Sequence, residues 1–174
     1  MPELFHDDDD IHDDVTSTFR GAAESLLQGT GYVHVDKQQA VSTAKRWLDG
    51  PFVVIDTETT GFHRPDQVIQ IGIINQDGNT LLNTLIKPRT ISIHNSQFHG
   101  ITNEMVADAP TFPEVYPLIA AAVAGQRVVG YNLDFHLRMI DQDVQRHELP
   151  TIPWGDASRC LCVMELFAAF YGDS

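Results

Sequence analysis

The sequence predicts an α/β domain: a mixed sheet flanked by helices. Three observations carry this. Phe52-Val53-Val54-Ile55-Asp56 is an apolar, β-branched run too short for a helix, which is how a strand buried on both faces reads. Val68 to Asn75 and Thr80 to Ile86 flank Asp77-Gly78, a turn dipeptide that makes them an antiparallel hairpin. From Thr102 onward helical and strand-like patterns alternate, the succession expected of an α/β layer architecture.

Taken in order, residues 1–14 hold Glu3, Asp7, Asp8, Asp9, Asp10, Asp13 and Asp14 with no Lys or Arg. Such a run is expected to be a solvated, disordered tail, or else a phosphate mimic for a basic partner surface. Residues 15–50 form a helical lead-in. Val15 to Gln28 carries Phe19, Ala22, Ala23, Leu26 and Leu27 at helical spacing, and a second helix runs from Asp36, its expected N-cap, to Gly50-Pro51. The α/β domain fills residues 51–174. Within the hairpin, Ile69, Ile71 and Ile73 share one face. Thr102 to Ala107 is expected to be a short turn of helix and Phe112 to Ala124 a longer one, stopped by Gly125. Arg127 to Gly130 reads as a strand. Asn132 is the expected N-cap of a helix over Leu133 to Glu148, whose inner face carries Leu137, Ile140 and Val144. Ser158 to Tyr171 reads as the last helix.

At 174 residues the chain fits one domain with a real core, which excludes a multidomain machine. No apolar run approaches the ~20 residues of a membrane span, and Met1 to Phe5 lack the basic start of a signal peptide, so the expected location is cytoplasmic. Cys160 and Cys162, one residue apart, suit neither a disulfide framework nor a four-ligand zinc site and are expected to be reduced. The net charge of −13 is the reverse of the basic excess usual in proteins that grip phosphates.

The residues with chemistry lie where the first strand ends. Asp56 and Glu58 stand two apart on an extended chain, so both carboxylates project to one side and can share a cation. Hard divalent ions such as Mg²⁺ or Mn²⁺ take a few carboxylate oxygens together with water and phosphate. Asp56 and Asn132 both follow strands of an α/β sheet, where ligand sites form.

At this point the sequence resembles the DEDD superfamily of 3′–5′ exonucleases, the DnaQ-like proofreading-subunit and ribonuclease T-like proteins. Val54-Ile55-Asp56-Thr57-Glu58-Thr59-Thr60-Gly61-Phe62 looks like their first motif, and Ile69-Gln70-Ile71-Gly72 like their second strand. Phe98-His99-Gly100-Ile101-Thr102 resembles their H-G-I-T turn, and Val128-Val129-Gly130-Tyr131-Asn132 with Phe135 the start of their second motif. The resemblance implies a ribonuclease H-like fold and a magnesium- or manganese-dependent nuclease, a hydrolase binding single-stranded 3′ ends of nucleic acid. It implies that Asp56 and Glu58 bind metal and are catalytic. Thr57, Thr59 and Phe62 would then lie against the terminal nucleotide, with Phe62 as an apolar wedge, and His99 and Asn132 would line the substrate groove. Phe62 reads equally as core packing, and His99 as a helix-entry residue bonded to backbone.

The family's pattern is broken in two places. His136 stands where the second motif carries its aspartate, and a histidine brings no negative charge to a hard cation. Asp134 lies about 200° around the helix from position 136 and cannot replace it. The third motif, H-x-x-x-x-D, which supplies the base and the last carboxylate, is not reached before Ser174, so the domain is expected to be C-terminally incomplete. The one such string, His136 to Asp141, sits in the second motif's register and is discounted. The expected function is therefore an exonuclease-like domain that acts on or binds nucleic acid ends, inactive or weakly active as this chain, with metal binding weak or absent. The alternatives are an active module cut short, and an acidic inhibitor or scaffold using the fold to bind a protein partner. Neither DNA nor RNA is favoured.

Overall fold

The computed structural model describes residues 35–172, apart from 90–91 and 156–157. The acidic tail and the helix expected over Val15 to Gln28 lie outside the described residues. The chain divides into two compact units, one comprising residues up to Gly50 together with those from Glu165 on, the other Pro51–Met164.

In the first unit, helix α1 (Val35–Leu48) buries Ala40 and Ala44 against Phe170, with Val41 and Leu166 packed alongside. These residues recur every three or four positions, the spacing of one helical face. The Lys37 ammonium lies 5.5 Å from the centre of the Phe170 ring, and Trp47 is buried. Val35 is already helical, so Asp36 lies within the helix and is not the N-cap the sequence suggests.

The second unit is a five-stranded mixed sheet in the order β3 (Thr80–Leu85), β2 (Val68–Asn75), β1 (Phe52–Thr59), β4 (Arg127–Gly130), β5 (Cys160–Cys162). Its central strand, β1 (Phe52–Thr59), pairs antiparallel with β2 (Val68–Asn75) and parallel with β4 (Arg127–Gly130). β2 pairs antiparallel with β3 (Thr80–Leu85). Val53, Ile55, Ile71, Ile73 and Val128 meet helices α3 (Phe112–Val123) and α4 (Leu133–Arg146) in one core. Phe112, Val115, Ile119 and Val123 are the buried stripe of α3. Each fully buried side chain of this size stabilises the fold by about 1.5–3 kcal/mol.

Local chemistry sets the helix ends. Thr111 caps α3 through a capping box, in which Glu114 accepts from both the Thr111 amide and hydroxyl at 2.7 Å. Gly130 closes β4 where a Cβ would come within 3.0 Å of the Ile55 carbonyl oxygen and of Leu133, so a glycine lets β4 lie close to β1.

Five expectations are corrected. The segment 102–107 forms turns, and the short helix is α2 (Ser96–His99), ended by Gly100 at φ +74°. His99 therefore closes a helix and does not enter one. Asn132 holds the N-cap position of α4, but its backbone is left-handed at φ 55°, and its side chain makes no capping bond. The helix ends at Arg146, two residues short of Glu148. The segment 158–171 begins with a strand, β5 (Cys160–Cys162), parallel to β4, before α5 (Val163–Tyr171). Three residues are too few to show a strand period, and Leu161 mimics a helical spacing with Met164 and Glu165. Neither cysteine is joined in a disulfide.

Candidate active site at the end of the central strand

Parallel pairing of β1 with β4 runs from Phe52 opposite Arg127 to Val54 opposite Val129. Asp56 and Glu58 lie just beyond, where β1 continues along β2 but parts from β4. Here the sheet's connections diverge, the position at which α/β sheets form their ligand sites. Both residues are half-buried. Burial pushes the Asp56 carboxyl above its ordinary range, with His136 and the Thr57 amide opposing. Burial, and then the negative charge of Asp56, push Glu58 up to about 7. Ionising both carboxylates at once is thus disfavoured, a cost that a bound cation relieves.

His136, 7% exposed, stands behind this pair. Its Nδ1 accepts the Thr57 amide at 3.1 Å, with the Thr57 hydroxyl 2.9 Å away. Because a backbone N–H can only donate, the ring carries its proton on Nε2. Nε2 lies 2.9 Å from the Tyr131 carbonyl oxygen and 3.2 Å from Asp56 Oδ1 and is shared between them. A residue read from the sequence as a poor metal ligand is thus a hydrogen-bond donor to the carboxylate beside it.

Thr57 and Thr59, which the resemblance sets against a terminal nucleotide, are turned inward. Alternation along β1 puts them on the face opposite Asp56 and Glu58. Thr57 is 5% exposed, and the Thr59 hydroxyl donates to Gly61 O at 2.7 Å. Phe62 is 61% exposed, which excludes core packing. Its ring lies 5.8 Å from that of Phe135, which meets the His136 ring edge-on at 5.4 Å. His99 Nδ1 accepts the Ile101 amide at 3.1 Å, while its buried Nε2 has no partner. Burial lowers its pKa, against a contact with Thr59 backbone. Asn95, not singled out from the sequence, donates to Thr59 O at 2.9 Å. Asn132 and Asp134 are exposed. Asp141 accepts the Trp154 indole N–H at 2.9 Å, which occupies the carboxylate of the His136-to-Asp141 string.

Two further residues hold the loop after β1. Asp143, 1% exposed, accepts the Val68 amide at 2.8 Å and pairs with Arg146. Burial raises its pKa to about 6 against that amide and Arg146. Arg146 Nη2 reaches the carbonyls of Arg64, Pro65 and Asp66, each at 3.1 Å. A carboxylate between Ile140 and Val144 on an apolar helix face was the signal the sequence offered.

As a cation site, Asp56 and Glu58 offer the hard oxygen donors that Mg²⁺ or Mn²⁺ takes, with coordination left for water and phosphate. They fit one ion. A second does not fit, because His136 presents N–H, not a lone pair, and among the described residues no group of three or more His, Cys, Asp and Glu is poised for a metal.

The family model described as Exonuclease (RNase_T) matches residues 53–173. The chain belongs to the exonuclease family. This exonuclease-family chain is 35% identical over 133 residues to exonuclease CP81 of Escherichia phage 186, covering 75% of this chain and 69% of that protein. It is 32% identical over 105 residues to DNA polymerase III subunit epsilon of Aquifex aeolicus, covering 58% of this chain and 52% of the subunit. In fold it is similar to exonuclease I. A product-bound structure matches with TM-score 0.60 at 18% identity, over 70% of this chain and 32% of that one. The E. coli exonuclease I complex with single-stranded DNA matches with TM-score 0.60 at 17% identity, over 71% and 30%. The chain thus spans about a third of exonuclease I and shares its ribonuclease H-like fold. Among the described residues no helix is long and apolar enough to cross a membrane.

Proposed function

We propose that this exonuclease-family domain binds the 3′ end of a single-stranded nucleic acid over Asp56 and Glu58, and cuts it weakly or not at all as this chain. The observation that carries the reading is the Asp56–Glu58 pair at the diverging end of β1, with the Nε2–H of His136 aimed at Asp56. A divalent ion held by the two carboxylates would polarise the phosphate under attack. His136 neither ligates nor deprotonates water: Nε2 already holds a proton, and Nδ1 is taken by Thr57. It fixes the orientation of Asp56. Phe62 offers an exposed ring to the terminal base, and aromatic contact of this kind is tolerant of sequence. Among the described residues no free base stands beside the pair to activate water, so a loss of ~10²–10⁴ in rate is expected.

The test is a trimming assay on end-labelled single strands in Mg²⁺ or Mn²⁺, paired with a binding measurement on the same strands. Binding that Asp56→Ala weakens, with little shortening, supports the reading. Rapid shortening abolished by Asp56→Ala overturns its second half, and no binding of any strand overturns the whole.

A further inference from the structure

For a chain of net charge −13, a place where cations gather is informative, even with Glu114 beside it on Thr111. One such place lies away from the carboxylate pair. Lys87, Arg89, Thr111 and His147, with Pro88 and Pro113, line a cavity of about 340 Å³ that no Asp or Glu lines. The Arg89 amide is anchored by Gln67 Oε1 at 2.7 Å, and its side chain is exposed. Lys87 Nζ donates to Ala107 O at 2.6 Å and keeps two further N–H donors. The His147 ring stacks on Phe112 at 5.9 Å and 11°. Its pKa is lowered first by burial and then by the positive charges of Arg89 and Arg146.

This cavity connects to the site along α4. His136 and His147 are eleven residues apart, about 16 Å along a helix. Between them the exposed Arg138 lies 5.3 Å over the Phe135 ring, with Nη2 3.4 Å from Phe62 O. Gln142, with its amide oriented as its neighbours require, bridges Arg138 Nη1 at 3.0 Å and Arg64 O at 3.2 Å. Arg146 then ties the same 64–66 segment to the end of α4. Of the acids along this route, Asp143 pairs with Arg146 and Asp66 accepts from the Thr60 hydroxyl at 2.9 Å and the His63 amide at 2.8 Å, while Asp134 is exposed at the start of α4.

Resting on the proposed function, we infer that the strand bound at Asp56 and Glu58 continues past Phe62 and Phe135, over Arg138 and Arg64, and seats a backbone phosphate in the Lys87–Arg89–His147 cavity. Aromatic rings at one end and spaced cations along the rest match a single strand, whose bases stack and whose phosphates recur at regular intervals. An acidic peptide would satisfy the cations but leave the exposed aromatic end without a partner.

The experiment is fluorescence anisotropy with a labelled trinucleotide and a labelled twelve-nucleotide strand, with a chelator present so that nothing is cut. Lys87→Ala/Arg89→Ala is expected to weaken the long strand by about tenfold and lower its salt slope by ~0.7, leaving the trinucleotide unchanged. Arg138→Ala is expected to weaken both. Circular dichroism on each variant confirms the fold. Unaltered long-strand binding in the folded double variant, or equal weakening of both lengths, overturns the inference while the site reading stands. Polyglutamate displacing the long strand at lower concentration than unlabelled oligonucleotide would overturn the nucleic-acid assignment. Wild-type protein that binds neither strand, with the chelator and again in Mg²⁺, removes the proposed function and this route together.

Discussion

The Thr57 amide donates to Nδ1 of His136 at 3.1 Å, and that bond decides what the histidine can offer Asp56. Held as a donor on Nε2, the ring lends Asp56 a hydrogen bond where the resemblance leads one to expect a carboxylate.

Exchanging that donor for a charge should therefore be felt by a cation. His136→Asp is expected to bind Mn²⁺ about tenfold more tightly, because a third carboxylate joins Asp56 and Glu58. Cutting is expected to remain low. Calorimetry beside a nuclease assay separates the two effects. Unchanged metal affinity would mean position 136 does not face the pair, and vigorous cutting would mean no further residue is needed.

Acidity should act on stability through the raised carboxyls. Glu58, at about 7 in the folded chain against an ordinary 4.5, binds more protons folded than unfolded between those values. Stability is therefore expected to fall as pH rises from about 4.5 to 7, and Asp143, raised to about 6, acts in the same direction. Denaturation midpoints measured without metal across this range should show the decline. Glu58→Gln should flatten its upper part, and a steeper decline in that variant would contradict the assignment.

The pair behind the loop should matter to folding. Arg146→Ala strips the buried Asp143 of its counter-charge and is expected to cost about 3 kcal/mol. Adding Asp143→Asn should return part of that loss, since the stranded charge is gone. Arg146→Lys should rescue poorly, because a point ammonium cannot span Asp143 and three carbonyls at once. Additive losses in the Arg146→Ala/Asp143→Asn double variant would count against the coupling.

Phe62 offers the opposite profile. With most of its ring in solvent, Phe62→Ala should shift stability by no more than ~0.5 kcal/mol. Strand binding should weaken by ~1–3 kcal/mol if a base stacks there. A melting curve and an anisotropy titration on the same preparation settle it, and unaltered affinity would retire Phe62 as a contact.

Period and turn chemistry made much of this legible. β1 declared itself through consecutive β-branched residues, the hairpin through Asp77-Gly78, and the Asp56–Glu58 pair through a spacing of two on a strand. What escaped the sequence depends on partners distant in the chain. β5 exists because β4 offers it an edge, not because Cys160-Leu161-Cys162 favours extension. Asn132 suits an N-cap by type, yet a left-handed backbone redirects its side chain. That Thr57 and Thr59 turn inward follows from the same alternation that aims Asp56 and Glu58 outward. The tautomer of His136 rests on an amide 79 positions away, which no local pattern encodes.

The two compact units differ in one optical respect. The chain has two tryptophans, and the boundary at Gly50 assigns one to each unit: Trp47, buried at the end of α1, and Trp154, whose indole is tied to Asp141. Replacing either by phenylalanine leaves a single emitter reporting on one unit alone. Fluorescence traces of the two single-tryptophan proteins would superimpose if the units melt as one cooperative body and separate if each has its own transition. Trp154 also borders α4 through Asp141, so its emission provides a label-free view of that helix as a nucleic acid strand is added.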